Sequence, residues 1–272
     1  MAAMVASYVV LILAVGCILF QQRRRARKLQ QAIQVVHAAY CQGDYQKGMR
    51  LAENLKRGRL KTAAYWFYRG KMLYQLGQLS EAESCFRSGL GMESGARMKA
   101  VAREDLGKVQ VEQKRYEEAM RSFEDSTQDC PDRGSGHRAI AEMWLRQGIR
   151  EAEALNFALL AVETARTSRV PESGSQSLDL AEALATLAWA VAVHSAETAE
   201  VERLVAEAFE LCGEDDKPIL AHLHYLVGAA YSVLGTIDAR DQSAHHFQEA
   251  AAADPEGNFG RLAKAAVHGA AA

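Results

Sequence analysis

The sequence predicts an all-α chain, a solenoid of about six stacked helical hairpins behind an N-terminal transmembrane helix. Three observations predict it. First, small and aromatic residues recur in register. Gly70, Ala82 and Phe86 reappear 37 residues on as Gly107, Ala119 and Phe123, and Tyr40 and Gly43 reappear 34 residues on as Tyr74 and Gly77. Second, alanine is abundant, β-branched residues are sparse, and 272 residues include only 4 prolines, a mix that favours helix nearly throughout. Third, residues 2–20 carry no charged side chain.

That N-terminal run is long enough, at about 1.5 Å per helical residue, to cross a hydrocarbon core of roughly 30 Å. Arg23, Arg24, Arg25, Arg27 and Lys28 follow it at once. A cleavable signal carries its positive charge before the apolar run and small residues at its end, the reverse of this order. The segment therefore reads as an uncleaved signal anchor, residues 1–20, with a basic juxtamembrane flank, 21–28. The positive-inside rule keeps the flank and the body in the cytoplasm, which makes this a single-pass membrane protein. The lipid bilayer is then contacted through residues 2–20, and the basic cluster attracts anionic headgroups at the inner face.

The body divides by its repeats. Four units span 29–167, a linker-like interruption rich in serine spans 168–177, two further units span 178–257, and 258–272 forms a capping helix or tail. The clearest unit starts at Ala63, with Trp66, Gly70, Leu73, Gly77, Ala82 and Phe86. Tyr40, Gly43, Tyr45 and Gly48 mark the unit before it. Leu106, Gly107, Tyr116, Ala119, Phe123 and Pro131 mark the unit after it, where three inserted residues, Arg97 to Lys99, are expected to extend the connection. Ala141, Trp144, Gly148, Ala154 and Ala161 mark the fourth, and Leu184, Leu187, Ala188, Val205 and Phe209 the weaker fifth. Val227, Gly228, Tyr231, Gly235, Phe247, Ala250 and Pro255 restore the pattern in the sixth.

These marks resemble the tetratricopeptide repeat (TPR) family over roughly residues 29–257. The resemblance implies a right-handed α–α superhelix in which small residues let the two helices of a hairpin approach closely while bulky ones fill the gaps between layers. It also implies that concave positions of each first helix form a peptide-binding face. Here those positions hold Ala64, Phe67, Tyr68, Lys71, Tyr74 and Gln75, then Glu104, Asp105, Lys108 and Glu112, then Arg138, Glu142 and Arg146. The partner-binding residues expected are Phe67, Tyr68, Lys71, Tyr74, Gln75, Glu104, Asp105, Lys108, Arg138 and Glu142. Some TPR domains grip a terminal carboxylate with a lysine/asparagine/arginine clamp. The corresponding positions hold Ile33, His37, Tyr68, Val101 and Asp105, so a chaperone-tail receptor is not expected.

Chemistry has little purchase in this sequence. The net charge of −2 offers nucleic acid no global attraction. Five widely spaced cysteines form no zinc-ribbon pattern, and no phosphate loop, nucleophile elbow or zinc-protease motif occurs. No enzyme, cofactor or metal is expected. His222 and His224, two apart, and the adjacent His245 and His246 read as ordinary groove or surface histidines. A metal site would need the two pairs to meet across a hairpin.

Anchor, basic flank and cytoplasmic array together are similar in organisation to LapB-type membrane-anchored TPR proteins, without the rubredoxin-like metal domain and its paired C-x-x-C motifs. The same layout is similar to that of mitochondrial outer-membrane import receptors. The function implied is a membrane-anchored scaffold or adaptor binding a protein or peptide partner. The alternative is a receptor capturing transient targeting or degradation peptides. The bacterial inner membrane is the favoured location and the mitochondrial outer membrane the alternative.

Overall fold

The computed structural model describes residues 2–57, 63–92, 95–168, 175–213 and 215–270. Among these the chain is helical apart from its turns. Six hairpins follow one another: α1 (Ala2–Cys41) with α2 (Tyr45–Arg57), α3 (Ala63–Gln75) with α4 (Leu79–Leu90), and α5 (Ala96–Glu112) with α6 (Tyr116–Asp129). Then come α7 (Ser135–Gln147) with α8 (Glu151–Thr167), α9 (Ser175–His194) with α10 (Thr198–Leu211), and α11 (Lys217–Leu234) with α12 (Ile237–Ala253). A last helix, α13 (Asn258–Ala270), packs on α11 and α12.

A repeated glycine–aromatic pair holds the second, third and sixth hairpins together. A Cβ on Gly107 would lie 2.4 Å from Phe123, one on Gly70 2.8 Å from Phe86, and one on Gly228 2.9 Å from Phe247. Each ring occupies the space that a side chain on the partner helix would fill. Ala82, Ala119 and Ala250 are fully buried beside them. The hairpin turns repeat as well. Gly43 and Gly77 close their first helices at φ 73° and 74°, a left-handed conformation that glycine adopts without a Cβ clash. In the third hairpin Lys114 occupies the same place at φ 61° and makes the same pair of backbone bonds, Lys114 N to Val111 O and Arg115 N to Gln110 O.

Three boundaries differ from expectation. Arg97 to Lys99 do not extend a connection, because α5 begins at Ala96 and takes them in, giving 17 residues where α3 has 13. The interruption expected over 168–177 is shorter than that, since α9 starts at Ser175. Residues 169–174 of it lie outside the described residues, and α8 and α9 pack together on either side. Anchor, basic flank and first repeat helix are not separate elements, because α1 runs unbroken through all three for 40 residues. Most side chains of the expected transmembrane segment lie outside the described ones. Beyond it Val36, Ala39 and Tyr40 are buried in the first hairpin, while Arg23, Arg24, Arg27 and Lys28 are exposed.

The central hairpins use alanine in place of the aromatic lock. From Ala181 to Ala190 every residue of α9 is buried, because α7, α8, α10 and α11 surround the helix. Its stretch Ser177–His194 is the one described span apolar enough to cross a membrane, and burial inside the solenoid accounts for that composition. The superhelix then turns far enough for its ends to meet. Tyr45 OH donates to the Asp254 carboxylate, and Cys41 Sγ donates to Asp216 Oδ2 at 3.2 Å.

Candidate functional site

First helices of successive hairpins present their inner faces to one central cavity of about 130 Å³. Seven of the ten residues expected to bind a partner line it: Lys71, Tyr74 and Gln75 from α3, Glu104, Asp105 and Lys108 from α5, and Arg138 from α7. Glu142 stands one turn further along α7 in a smaller adjoining hollow with Tyr74 and Lys108. Phe67 instead packs into the second hairpin against Phe86, and Tyr68 lies half-buried beside His37, with ring centroids 5.8 Å apart. The structure thus gathers most of these residues and also encloses them. Tyr74, Gln75, Glu104, Asp105, Arg138 and Glu142 are all buried, and only Lys71, Lys108 and Tyr68 keep partial access to solvent.

Burying so many charges is tolerable because they alternate in sign. Arg138, 1% exposed, reaches Glu182 at 3.2 Å, Glu104 at 3.3 Å and Glu142 at 3.5 Å. Lys108 bridges Glu104 at 2.7 Å and Asp105 at 3.5 Å, while Arg133 stands between Glu104 and Asp179. His222 closes the network with Nδ1 2.6 Å from Glu182 and Nε2 3.1 Å from Glu142. Both ring nitrogens face carboxylate oxygens, which can only accept hydrogen bonds when ionised, and this arrangement favours the doubly protonated imidazolium. Burial alone would lower the His222 pKa, and the two carboxylates outweigh it and raise the value. Burial likewise works against the charged forms of Glu142 and Glu182, yet His222 and Arg138 bring both down to about 2.

Part of this network was open to sequence reasoning. Glu104 and Arg138 are 34 residues apart, as are Glu112 and Arg146, which pair at 2.8 Å. Opposite charges one repeat apart on first helices must face each other across a hairpin boundary. Arg133, Asp179 and Glu182 were missed. Arg133 stands at the end of its unit, outside the concave positions of a first helix, and the other two lie beyond the interruption, where the register weakens. His222, expected as an ordinary groove or surface histidine, proves to be a member of the network.

The chain's own C-terminal segment also enters the concave face. Asn258 N donates to Gln75 Oε1 at 2.9 Å, and its side-chain amide donates to Tyr74 OH at 2.8 Å and to Glu112 Oε1 at 3.3 Å. Phe259 stacks on His222 with centroids 3.8 Å apart and planes 17° from parallel. Arg261 donates to the Gln75 carbonyl. The segment expected as a capping helix or tail therefore contacts the second and third hairpins.

His222 lines the groove, one of its two expected places, whereas the pair in the last hairpin differs from expectation. His222 and His246 are buried, and His224 and His246 meet across the last hairpin with their Nδ1 atoms 2.9 Å apart, beside the Phe209 ring. Burial lowers both pKa values to about 4, so the pair is neutral near pH 7. Among the described residues no three His, Cys, Asp or Glu side chains group to hold a metal ion.

Paired helices in this order, with a glycine under an aromatic in three of the hairpins and a continuous concave face, decide the architecture. The fold is a tetratricopeptide repeat solenoid. A chain of the APC/C hetero-tetramer Cut9–Hcn1 superposes with a TM-score of 0.58 at 12% identity, covering 87% of this chain and 41% of that one. This protein thus spans about two fifths of that relative's length. The Pseudomonas aeruginosa pilF structure gives a TM-score of 0.50 at 17% identity, covering 89% of this chain and 98% of that one. At such identities the likeness bears on the fold alone. No protein-family model matches the sequence, and no curated protein matches it.

Proposed function

We propose that this protein is a membrane-tethered TPR scaffold that holds a protein partner at the concave face, in contact with Tyr68, Lys71 and Lys108. The observation that carries the reading is the convergence of successive first helices on one cavity lined by alternating charges. Arg138 Nε and Asp105 Oδ2 on that face are buried without a hydrogen-bond partner, a lining suited to a polar guest. The anchor is read from the uncharged run 2–20 and the arginine cluster behind it. Leu19 and Phe20, 50% and 66% exposed on α1, are apolar side chains that the body leaves uncovered, as a bilayer contact requires. By the same rule the body lies in the cytoplasm and the basic cluster lies against anionic headgroups.

The test is site-specific photocrosslinking in native membranes. A crosslinking side chain at Tyr68 is expected to trap a protein adduct, while one at the exposed Glu124 on α6 traps none. Adducts at Glu124 with none at Tyr68 move the partner to the outer surface and sink the concave-face reading. Protease added outside intact cells is expected to leave the body uncut. Digestion there reverses the proposed topology.

A further inference from the structure

We infer that residues 254–261 are an intramolecular plug, which holds the concave site shut until a partner segment displaces it. The inference rests on the concave-face reading above and adds the regulation of that site. The segment leaves α12 at Asp254, turns through Pro255–Gly257, and starts α13 at Asn258. Its hold on the first three hairpins is polar. Asn258 contributes one backbone and two side-chain donors to Gln75, Tyr74 and Glu112, Arg261 donates to the Gln75 carbonyl, and Asp254 accepts from Tyr45. Hydrogen bonds of this kind exchange for bonds to water, or to a competing ligand, at small net cost.

The attachment to its own side is of a different kind. Ala263 is fully buried in the core formed with α11 and α12 and keeps α13 docked, whereas Phe259, stacked on His222 of α11, belongs to the part that a partner displaces. The segment can therefore release α3 while α13 stays docked. Gly257 and Gly260 keep the turn tight, since a Cβ on either would collide with Asp254 within 2 Å (1.8 and 1.9 Å). The plug also defines its competitor. A displacing partner presents a carboxamide at the start of a helix, an aromatic next to it and a cation two residues later, the order of Asn258, Phe259 and Arg261. The aromatic meets the His222 imidazolium, and the carboxamide meets Tyr74 and Glu112.

The probe is a fluorescent synthetic peptide of residues 254–270, titrated by anisotropy into the full-length protein in detergent micelles. Asn258→Ala with Phe259→Ala in the protein is expected to tighten peptide binding at least tenfold over the parent. A peptide carrying the same two changes is expected not to bind. Equal, weak binding to the parent and to a variant that keeps the parent's helical content makes the segment a fixed strap and overturns the plug. Arg261→Ala, which removes a single tie to α3, serves if the double variant does not fold, with a smaller gain in the same direction. Hydrogen exchange on the unaltered protein gives a second decision. Amides of 257–261 are expected to exchange at least tenfold faster than the buried turns of α5 and α6, and equal protection overturns the proposal. Crosslinking at Tyr68 that the double change leaves unaltered sinks the plug and spares the scaffold. Peptide uptake without any adduct at Tyr68 does the reverse.

Discussion

The seams between helices and the concave face are built on opposite physical terms. In the seams Gly70, Gly107 and Gly228 each lie under a phenylalanine ring, and stability comes from dispersion and dry burial. On the concave face Arg138, His222 and three glutamates lie just as deep, and stability depends on every charge keeping its partner. A seam tolerates any change that preserves volume. The charged face tolerates the loss of a whole pair better than the loss of one member. The contrast explains how one solenoid can have firm layers and still leave a polar inner surface on which segments can exchange.

The largest effect is expected where the concave face is cut at its centre. Arg138→Ala leaves Glu104, Glu142 and Glu182 without their shared cation, and breaking a buried pair in this way costs about 3–5 kcal/mol. A urea titration followed by circular dichroism reads it. A cost below that of a seam substitution would mean that water already screens the network. The seam counterpart is Gly107→Ala, whose new methyl must push the Phe123 ring aside at a cost of about 1–3 kcal/mol. Gly95→Ala, at a site with open space around it, is the control and is expected to be near neutral. Equal losses at Gly107 and Gly95 would break the contrast from the other side.

The two regions also differed in how far the sequence disclosed them. Seams are local. Gly70 and Phe86, or Gly107 and Phe123, are 16 residues apart within one hairpin, so the pattern repeats and can be read from spacing. The pairs Glu104–Arg138 and Glu112–Arg146 lie one period apart and were within reach of the same reasoning. Closure was not. Nothing in Asn258 or Phe259 announces Gln75 and His222 as neighbours, because that contact depends on the summed rotation of six hairpins, two of them off register. The continuity of α1 was hidden for a related reason. Composition changes sharply at Gln21, whereas the backbone has no cause to stop, with no proline or glycine between Cys17 and Cys41.

Proton titration separates the regions at the next level of effect, since the glycine–phenylalanine contacts of the seams carry no ionisable groups. His222 has a folded pKa raised above its ordinary value near 6.5. Its contribution is therefore full below about pH 6.5 and is lost as the pH rises through the raised value. Glu142 and Glu182, depressed to about 2, contribute fully above about pH 4.5 and lose that contribution as the pH falls through 2. His222→Gln is thus expected to lower the melting temperature most between pH 5 and 6.5, with the gap to the parent narrowing toward pH 9. A gap that is constant across that range would mean His222 acts through packing under Phe259 and not through its charge. Gly107→Ala should show a pH-independent loss in the same series.

The smallest expected effect lies in the hairpin turns, where a left-handed residue recurs but is not always glycine, as at Lys114, Arg150 and Ala196. Gly43, Gly77 and Gly235 take left-handed conformations at φ 73–74° to end their helices, and Lys114 does so at 61° with a side chain attached. A non-glycine residue there carries a steric penalty of about 1 kcal/mol or slightly more. Lys114→Gly removes that penalty, partly offset by the greater freedom glycine gives the unfolded chain. The net expectation is a gain of up to about 1 kcal/mol, read as a higher urea midpoint at unchanged slope. The mirror change is Gly235→Ala, where the nearest atom to a new Cβ is 3.9 Å away, so only the backbone strain is tested. It should cost a similar amount with the opposite sign. If Gly235→Ala destabilises while Lys114→Gly gives no gain, the Lys114 side chain repays its strain through a contact outside the turn, and the hairpins are less interchangeable than their backbones.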